Sequence, residues 1–177
     1  MTLIILARHG ETDWNRDGIW QGHGDPPLNE LGRRQAAELA KRLADVPIDV
    51  LYSSDLRRAM ETAEIVARSR GLSIRPDAEL REIDIGAWSG LTRAEIEERF
   101  PGMAREDGET NDEFDARVLG ALRRIATAHA GQQLLVITHG GVVRALERHL
   151  YGEPRAVLGN CETCEFEFEG EVFARLD

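Results

Sequence analysis

The run Leu3-Ile4-Ile5-Leu6-Ala7-Arg8-His9-Gly10 decides how this chain is read. Five apolar residues without alternation fit a strand buried on both faces, as in parallel sheets covered by helices. The run stops abruptly at a cation and an imidazole. Two further apolar runs end in the same way. Val50-Leu51-Tyr52 is followed by Ser53-Ser54-Asp55-Leu56-Arg57-Arg58, and Leu134-Leu135-Val136-Ile137 by Thr138-His139-Gly140-Gly141.

Helical patterns separate these strands. Asn29 can cap a helix whose apolar face is Leu31, Ala36, Leu39, Ala40 and Leu43. Ser54 can cap a second, with the stripe Leu56, Met60, Ala63, Ile65 and Ala67 and a stop at Gly71. Leu91 to Phe100 reads as a helix ending at Pro101, and Phe114–Ala128 and Val142–Leu150 as two more. Strands are expected near Cys164–Phe168 and Val172–Leu176. From His9 to Pro27 the chain is rich in Gly, Asp, Asn and Pro and reads as a long loop, a feature that is usually functional. Strands alternating with helices predict an α/β fold: a three-layer sandwich with a mostly parallel central sheet and helices on both faces. The last strands would pair antiparallel at an edge. No repeat, low-complexity tract or linker interrupts residues 1–177, so one domain is expected.

In open α/β sheets the ligand crevice lies at the carboxyl ends of the strands. That rule brings Arg8, His9, Arg57, Arg58, His139, Gly140 and Gly141 to one rim. Guanidinium groups bind phosphate oxygens in pairs and stay charged. Backbone N–H groups at the Gly140-Gly141 helix start add an anion site. An imidazole among such cations favours its neutral form, the form that can attack phosphorus. Taken singly, each piece has a bland reading: a hydrogen-bonded structural histidine, a solvated arginine pair, a glycine turn. Their joint placement is what argues for phosphoryl chemistry.

The bulk numbers sharpen this. With 32 acidic against 22 basic side chains the net charge is −10, which disfavours nucleic acid and anionic membranes as partners. A phosphate pocket here must be built locally, against the field of the whole molecule. No apolar stretch approaches the roughly 20 residues that span a bilayer, and the start lacks the cationic segment of a signal peptide, so a cytoplasmic protein is expected. Cys161 and Cys164 form a C-x-x-C within an alternating strand-like run and read as two small residues on or near a strand. A metal centre could be imagined from His9, His23 and His139 with Asp13 or Asp25. No H-E-x-x-H or comparable spacing supports it, and Arg8 and Arg58 would oppose a divalent ion, so neither metal nor cofactor is expected.

Leu6-Ala7-Arg8-His9-Gly10-Glu11-Thr12-Asp13-Trp14-Asn15 resembles the R-H-G-E-T-x-W-N signature of the histidine phosphatase superfamily, the phosphoglycerate mutase-like proteins. The resemblance continues through Gln21-Gly22, Asp25-Pro26-Pro27-Leu28-Asn29, Ser53 to Ala59 with Thr62-Ala63, Leu80-Arg81-Glu82-Ile83 with Gly86 and Trp88-Ser89-Gly90, and Thr138 to Arg144. It implies that His9 is a phosphorylated nucleophile and that Arg8, Arg58 and His139 clamp the phosphoryl group. It also selects Arg58 over Arg57, a choice the residue pattern alone leaves open. Asn15 is implied as a further phosphate contact, with Gln21, Gly22, Gly140 and Thr12 lining the pocket. Glu82 is implied as the acid that protonates the leaving oxygen and then activates water. Its neighbours Leu80, Ile83 and Ile85 supply the partial burial such a role needs. Glu11 and Asp84 are the rival carboxylates, and Glu11 suits orienting a neighbour within the signature loop.

The superfamily contains mutases, which carry extra segments roofing the site, and phosphatases. This chain is short between Trp88 and Phe114, which implies water access and hydrolysis. The expected activity is therefore that of a phosphomonoesterase acting on a small phosphorylated metabolite, with a phosphoglycerate mutase as the alternative and a non-catalytic phospho-ligand module behind it. Within the phosphatases the resemblance is to the α-ribazole and broad-specificity branch. Specificity is assigned to residues 10–28 and 86–114, with Trp14, Trp20, His23 and Trp88 as candidate pocket residues. The substrate and the oligomeric state, a homodimer included, stay open.

Overall fold

A computed structural model of the protein describes residues 1–155 and 158–176. In chain order its elements are β1 (Thr2–Arg8), α1 (Asp13–Arg16), α2 (Glu30–Arg42), β2 (Val50–Ser54), α3 (Arg57–Arg68), β3 (Ile74–Asp77), α4 (Arg93–Arg99), α5 (Asn111–Ala128), β4 (Gln133–Thr138), α6 (Gly140–Tyr151), β5 (Thr163–Glu169) and β6 (Val172–Leu176). Short 3-10 turns at Ala78–Leu80, Gly86–Trp88 and Pro101–Met103 join them.

The six strands form one sheet in the order β3-β2-β4-β1-β5-β6. β3, β2, β4 and β1 run parallel, while β5 pairs antiparallel with β1 and β6 antiparallel with β5. The apolar runs sit at the centre because both of their faces are covered. Alternate residues explain the two layers. Ile5, Ala7, Leu51, Leu135 and Ile137 pack against Ala36, Leu39 and Ala40 of α2 and Ala59, Ala63 and Val66 of α3. Ile4, Leu6, Val50, Leu134 and Val136 pack against Val118, Leu122 and Ile125 of α5 and Val142, Val143 and Leu146 of α6. Leu134 to Ile137 are wholly buried, each such side chain worth roughly 1.5–3 kcal/mol of apolar burial.

Local chemistry sets the helix starts. The Asn29 side chain accepts from the Gly32 N–H, and Thr12, Thr92 and Thr110 each open a helix with a capping box. Several expectations need correction. Leu31 lies 42% exposed rather than on the buried face of α2. The long loop after β1 contains the short helix α1. The cap position of α3 is Leu56, not Ser54. Its buried face runs through Arg58, Ala59, Thr62, Ala63, Val66 and Ala67, leaving Met60 and Ile65 half-buried. That helix ends at Arg68, before Gly71. The edge strand β3, with the sequence Ile-Arg-Pro-Asp, has no counterpart in the sequence reading.

No helix among the described residues is long and apolar enough to cross a membrane. Cys161 and Cys164 are buried free thiols, and burial pushes both up to about 12.

Candidate active site

β1 and β4 are hydrogen-bonded neighbours in parallel, with Arg8 in register with Thr138. Their last residues therefore emerge side by side, and the His9 N–H donates to the Thr138 carbonyl at 2.9 Å. The rings of His9 and His139 lie 5.2 Å apart. β2, on the other side of β4, delivers the chain to α3 and so brings Arg58 beneath the same point. The rim inferred from the sequence thus exists, and it borders a cavity of about 390 Å³.

His9 is buried, and both of its ring nitrogens are committed. Nδ1 lies 2.7 Å from the Gly10 carbonyl, an acceptor only, so it carries the proton. Nε2 receives the Arg58 Nε–H at 3.2 Å and so presents its lone pair. Burial first, then Arg58, then Arg8 hold this histidine well below its usual range, and the Gly10 contact opposes them. The result is a neutral imidazole at physiological pH.

Arg58 is almost wholly buried, with its guanidinium fastened to the Gly24 carbonyl at 2.7 Å and the Gly22 carbonyl at 2.9 Å. Burial lowers it to about 10, which leaves it charged at neutral pH. Gly22 has φ +48°, a conformation that favours glycine, and a side chain there would strike Ile85 at 2.4 Å. Arg57 points elsewhere: it is exposed, pairs with Glu61 at 2.7 Å, and its N–H donates to Asp25.

Two buried nitrogens here, Arg8 Nε and His139 Nδ1, have no hydrogen-bond partner among the described residues; Arg8 lines the cavity, while His139 is wholly buried and does not line it. Arg8 is otherwise held by the Leu158 carbonyl at 2.8 Å, and His139 Nε2 by the Ser54 hydroxyl at 2.8 Å. The Ser54 oxygen also accepts from the Leu56 N–H at 3.3 Å. The orphaned Arg8 Nε–H, at a cavity it shares with Arg58, is a donor that an oxyanion would satisfy, and His139 Nδ1 is a second one when it carries the proton of its ring. Burial, then Arg58, His9 and Arg8 also hold His139 well below the usual histidine range.

Glu82 lines the cavity half-buried. Its Oε1 accepts from the Ile83 N–H and its Oε2 from the Gly141 N–H, both at 3.0 Å. The anion site foreseen at the start of α6 is in part occupied by the protein's own carboxylate. Asn15, Gln21, Gly22 and Gly140 also line the cavity. Asn15 is the third residue of the Thr12 capping box, and its Oδ1 also accepts from Asn160 at 3.4 Å. Thr12 donates to Gln21 at 3.2 Å from behind the cavity wall. Glu11 accepts from Asn29 at 2.9 Å and does not line the cavity, and neither does Asp84. Of the four aromatic candidates only Trp20 reaches it. Trp14 packs beside Gly24, His23 contacts the Glu82 carbonyl at 2.9 Å, and Trp88 is buried against Phe100.

The outer wall includes Ile83 and Ile85, expected only as neighbours burying Glu82, Arg144, which stood only within the matched run Thr138 to Arg144, and three residues not singled out in the sequence: Ile19, Arg105 and Asn111. Ile19, Arg105 and Asn111 fall within the two segments assigned to specificity, but nothing in their spacing marks them. Arg105 hydrogen-bonds the Glu109 carbonyl and lies 5.9 Å from the Trp88 ring. Arg144 makes no hydrogen bond or ion pair among the described residues. Four arginines against the single carboxylate of Glu82 make this a cationic cavity in an acidic protein. Among the described residues no group of three or more His, Cys, Asp or Glu could hold a metal ion.

The family model described as the histidine phosphatase superfamily (branch 1) matches residues 4–176. The chain belongs to that superfamily, and as an enzyme it is a phosphoric monoester hydrolase. It is 41% identical over 157 residues to phosphoglycerate mutase-like protein 4 of Arabidopsis thaliana, covering 81% of this chain and 68% of that one. It is 35% identical over 163 residues to phosphoserine phosphatase 1 of Hydrogenobacter thermophilus, covering 86% and 77%. Among solved structures, Bacillus stearothermophilus YhfR superposes with a TM-score of 0.93 at 34% identity, covering 99% of this chain and 95% of that one.

Proposed function

We propose that the protein hydrolyses a small phosphorylated acid through a phosphohistidine on His9, within one domain spanning the chain. The observation that carries the mechanism is His9 itself: a buried, neutral imidazole whose Nε2 lone pair faces Arg58 at the cavity floor. The bound phosphate takes over the Arg58 Nε–H, which frees the Nε2 lone pair; Nε2 then attacks phosphorus and the ester P–O bond breaks. Arg8, Arg58 and His139 take up the charge on the phosphoryl oxygens, the largest contribution a protein makes to such a transfer. For His139 this requires a proton on Nδ1, which the Ser54 hydroxyl supports by donating to Nε2. Asn15, Gln21 and the Gly140 backbone complete the phosphate pocket. Glu82 gives its proton to the departing oxygen. In the second step the same carboxylate takes a proton from water, whose oxygen attacks the phosphohistidine and releases inorganic phosphate and neutral His9. Every role in these two steps falls to a residue of this chain or to water, and the steps call for no cofactor.

The substrate class rests on the outer wall. Arg8 and Arg58 answer the charge of a phosphomonoester, and Arg105 and Arg144 remain for the rest of the molecule. A leaving group with its own negative charge fits them, and the relative named as a phosphoserine phosphatase favours the same class. Cytoplasmic residence belongs to the proposal, supported by two free thiols in a fold without a disulfide.

Transfer to an isomeric acceptor, the mutase reading, is favoured by the Arabidopsis relative's name. Rapid quenching with a radiolabelled phosphomonoester tests both. The expected result is an acid-labile protein label on His9 that decays to inorganic phosphate, unaffected by a strong chelator. Turnover without any protein label would overturn the covalent intermediate, and label passing to added phosphoglycerate rather than to water would favour the mutase.

A further inference from the structure

We infer that Gly141 is a positioning residue for Glu82, its bare Cα forming the seat on which the carboxylate rests. The inference builds on the reading of Glu82 as the proton donor. Gly141 lies in the first turn of α6 in ordinary helical backbone, where glycine is disfavoured and no left-handed conformation calls for it. The reason for glycine is therefore sought outside the backbone. The cap residue His139 makes no side-chain hydrogen bond to the helix, so the orphan N–H of Gly141 is satisfied from another part of the chain, by Glu82 Oε2 at 3.0 Å. A β-carbon on Gly141 would stand 1.7 Å from Glu82 Oε1, 2.7 Å from Cδ and 3.0 Å from Oε2, so its three nearest neighbours are all atoms of that carboxyl group.

Glu82 cannot retreat as a whole. Its backbone carbonyl accepts from His23 Nε2 at 2.9 Å and from Arg117 at 3.2 Å. The flexible part is the carboxylate, so a methyl group at position 141 swings the carboxylate off the helix start and away from the Ile83 N–H, leaving the fold in place. Gly140, one residue earlier, is different: a β-carbon there meets Arg144 at 3.3 Å and the Arg8 side chain at 3.7 Å, and no part of Glu82 is among its three nearest neighbours. The two glycines of the pair therefore serve different ends, the first lining the cavity and the second seating the proton donor.

The test compares Gly141→Ala, Glu82→Gln and the double variant by kcat/KM on phosphomonoesters ranging from 2,4-dinitrophenyl to simple alkyl leaving groups. This quantity reports formation of the phosphoenzyme, the step in which the leaving oxygen needs a proton. Gly141→Ala should lose about tenfold or more on alkyl phosphates, with the loss shrinking as the leaving group becomes more acidic. Placed in the Glu82→Gln background it should add less than about twofold, because residues acting as a unit are not additive. A loss independent of the leaving group, or one that adds in full to Glu82→Gln, overturns the proposal while leaving the Glu82 assignment intact. A flat Glu82→Gln series overturns that assignment, and this inference with it. Thermal melting gives a readout independent of activity. The Tm change caused by Gly141→Ala should be more favourable when Glu82 is already alanine than in the parent protein, and an equal change in both backgrounds would show that the methyl meets something other than Glu82.

Discussion

The floor and the outer wall of the cavity are built by different means. The floor stands on strand ends: Arg8 closes β1 and His9 follows it, His139 follows the adjacent parallel strand β4 and packs beside His9, and Arg58 comes from the first turn of the helix after β2. His9, Arg58 and His139 are buried and Arg8 half-buried; His9, Arg58 and Arg8 are tied to backbone groups at Gly10, Gly22, Gly24 and Leu158, and His139 to the Ser54 hydroxyl. The wall is assembled largely from connecting segments, with Ile19 and Trp20 from the loop after β1 and Arg105 from the stretch before α5, joined by Asn111 at the start of α5 and Arg144 from α6. Rigid sheet edges hold the reacting groups to fixed distances, while loops carry what distinguishes one substrate from another. In this protein the chemistry is set by topology and the specificity by the connections.

The sharpest way to break this division is at its centre. His9→Ala should abolish turnover and protein labelling, a loss on the order of 10³-fold or more, read with any phosphomonoester the parent protein cleaves. Residual turnover above a few per cent would mean that the floor does not supply the nucleophile. A wall variant should act selectively. Arg105→Ala should reduce the preference for a phosphorylated acid over a phosphorylated neutral alcohol by about tenfold, the value of one charge-assisted contact. An equal loss for both substrates would assign Arg105 to the phosphate clamp instead and blur the boundary between floor and wall.

The smallest effect concerns pH. His9 and His139 are held neutral in the folded protein by burial and by the neighbouring arginines. In the unfolded chain each titrates near 6.5, so below that value the unfolded chain binds protons that the folded chain refuses. Stability therefore falls as the pH drops from about 7.5 to 5.5, by up to about 1.4 kcal/mol for each histidine. Denaturant melts of His9→Gln at the two pH values should show a shallower loss than the parent, and an unchanged slope would place His9 in contact with water.

Much of this was legible in the chain. The three apolar runs, the cationic ends and the antiparallel tail all lie where the sequence pattern puts them, because a strand buried on both faces leaves an unambiguous signature. Arg58 and Glu82 were different. Pattern could not separate Arg58 from Arg57 or pick Glu82 from 32 acids. Only the resemblance named them, and the structure brings both to the cavity while turning Arg57 outward. The misses share a cause in long-range packing. β3 is a four-residue edge strand with a proline, too short and too polar to stand out. Ser54 looked like a helix cap because its reach to His139, 85 residues away in sequence, is invisible locally. Trp14, His23 and Trp88 looked like pocket residues because exposure of an aromatic cannot be read from its neighbours in sequence.

The sequence by itself determined that three strands would end in cationic or imidazole side chains, since burial of a strand on both faces follows from local patterning. What only the tertiary structure decided was which atoms face one another: the neutral tautomer of His9, the carbonyls that aim Arg58, the carboxylate seated on Gly141, and an Arg144 on the wall with no ion pair among the described residues. Those depend on contacts closed by chain segments tens of residues apart, whose distances no periodicity encodes.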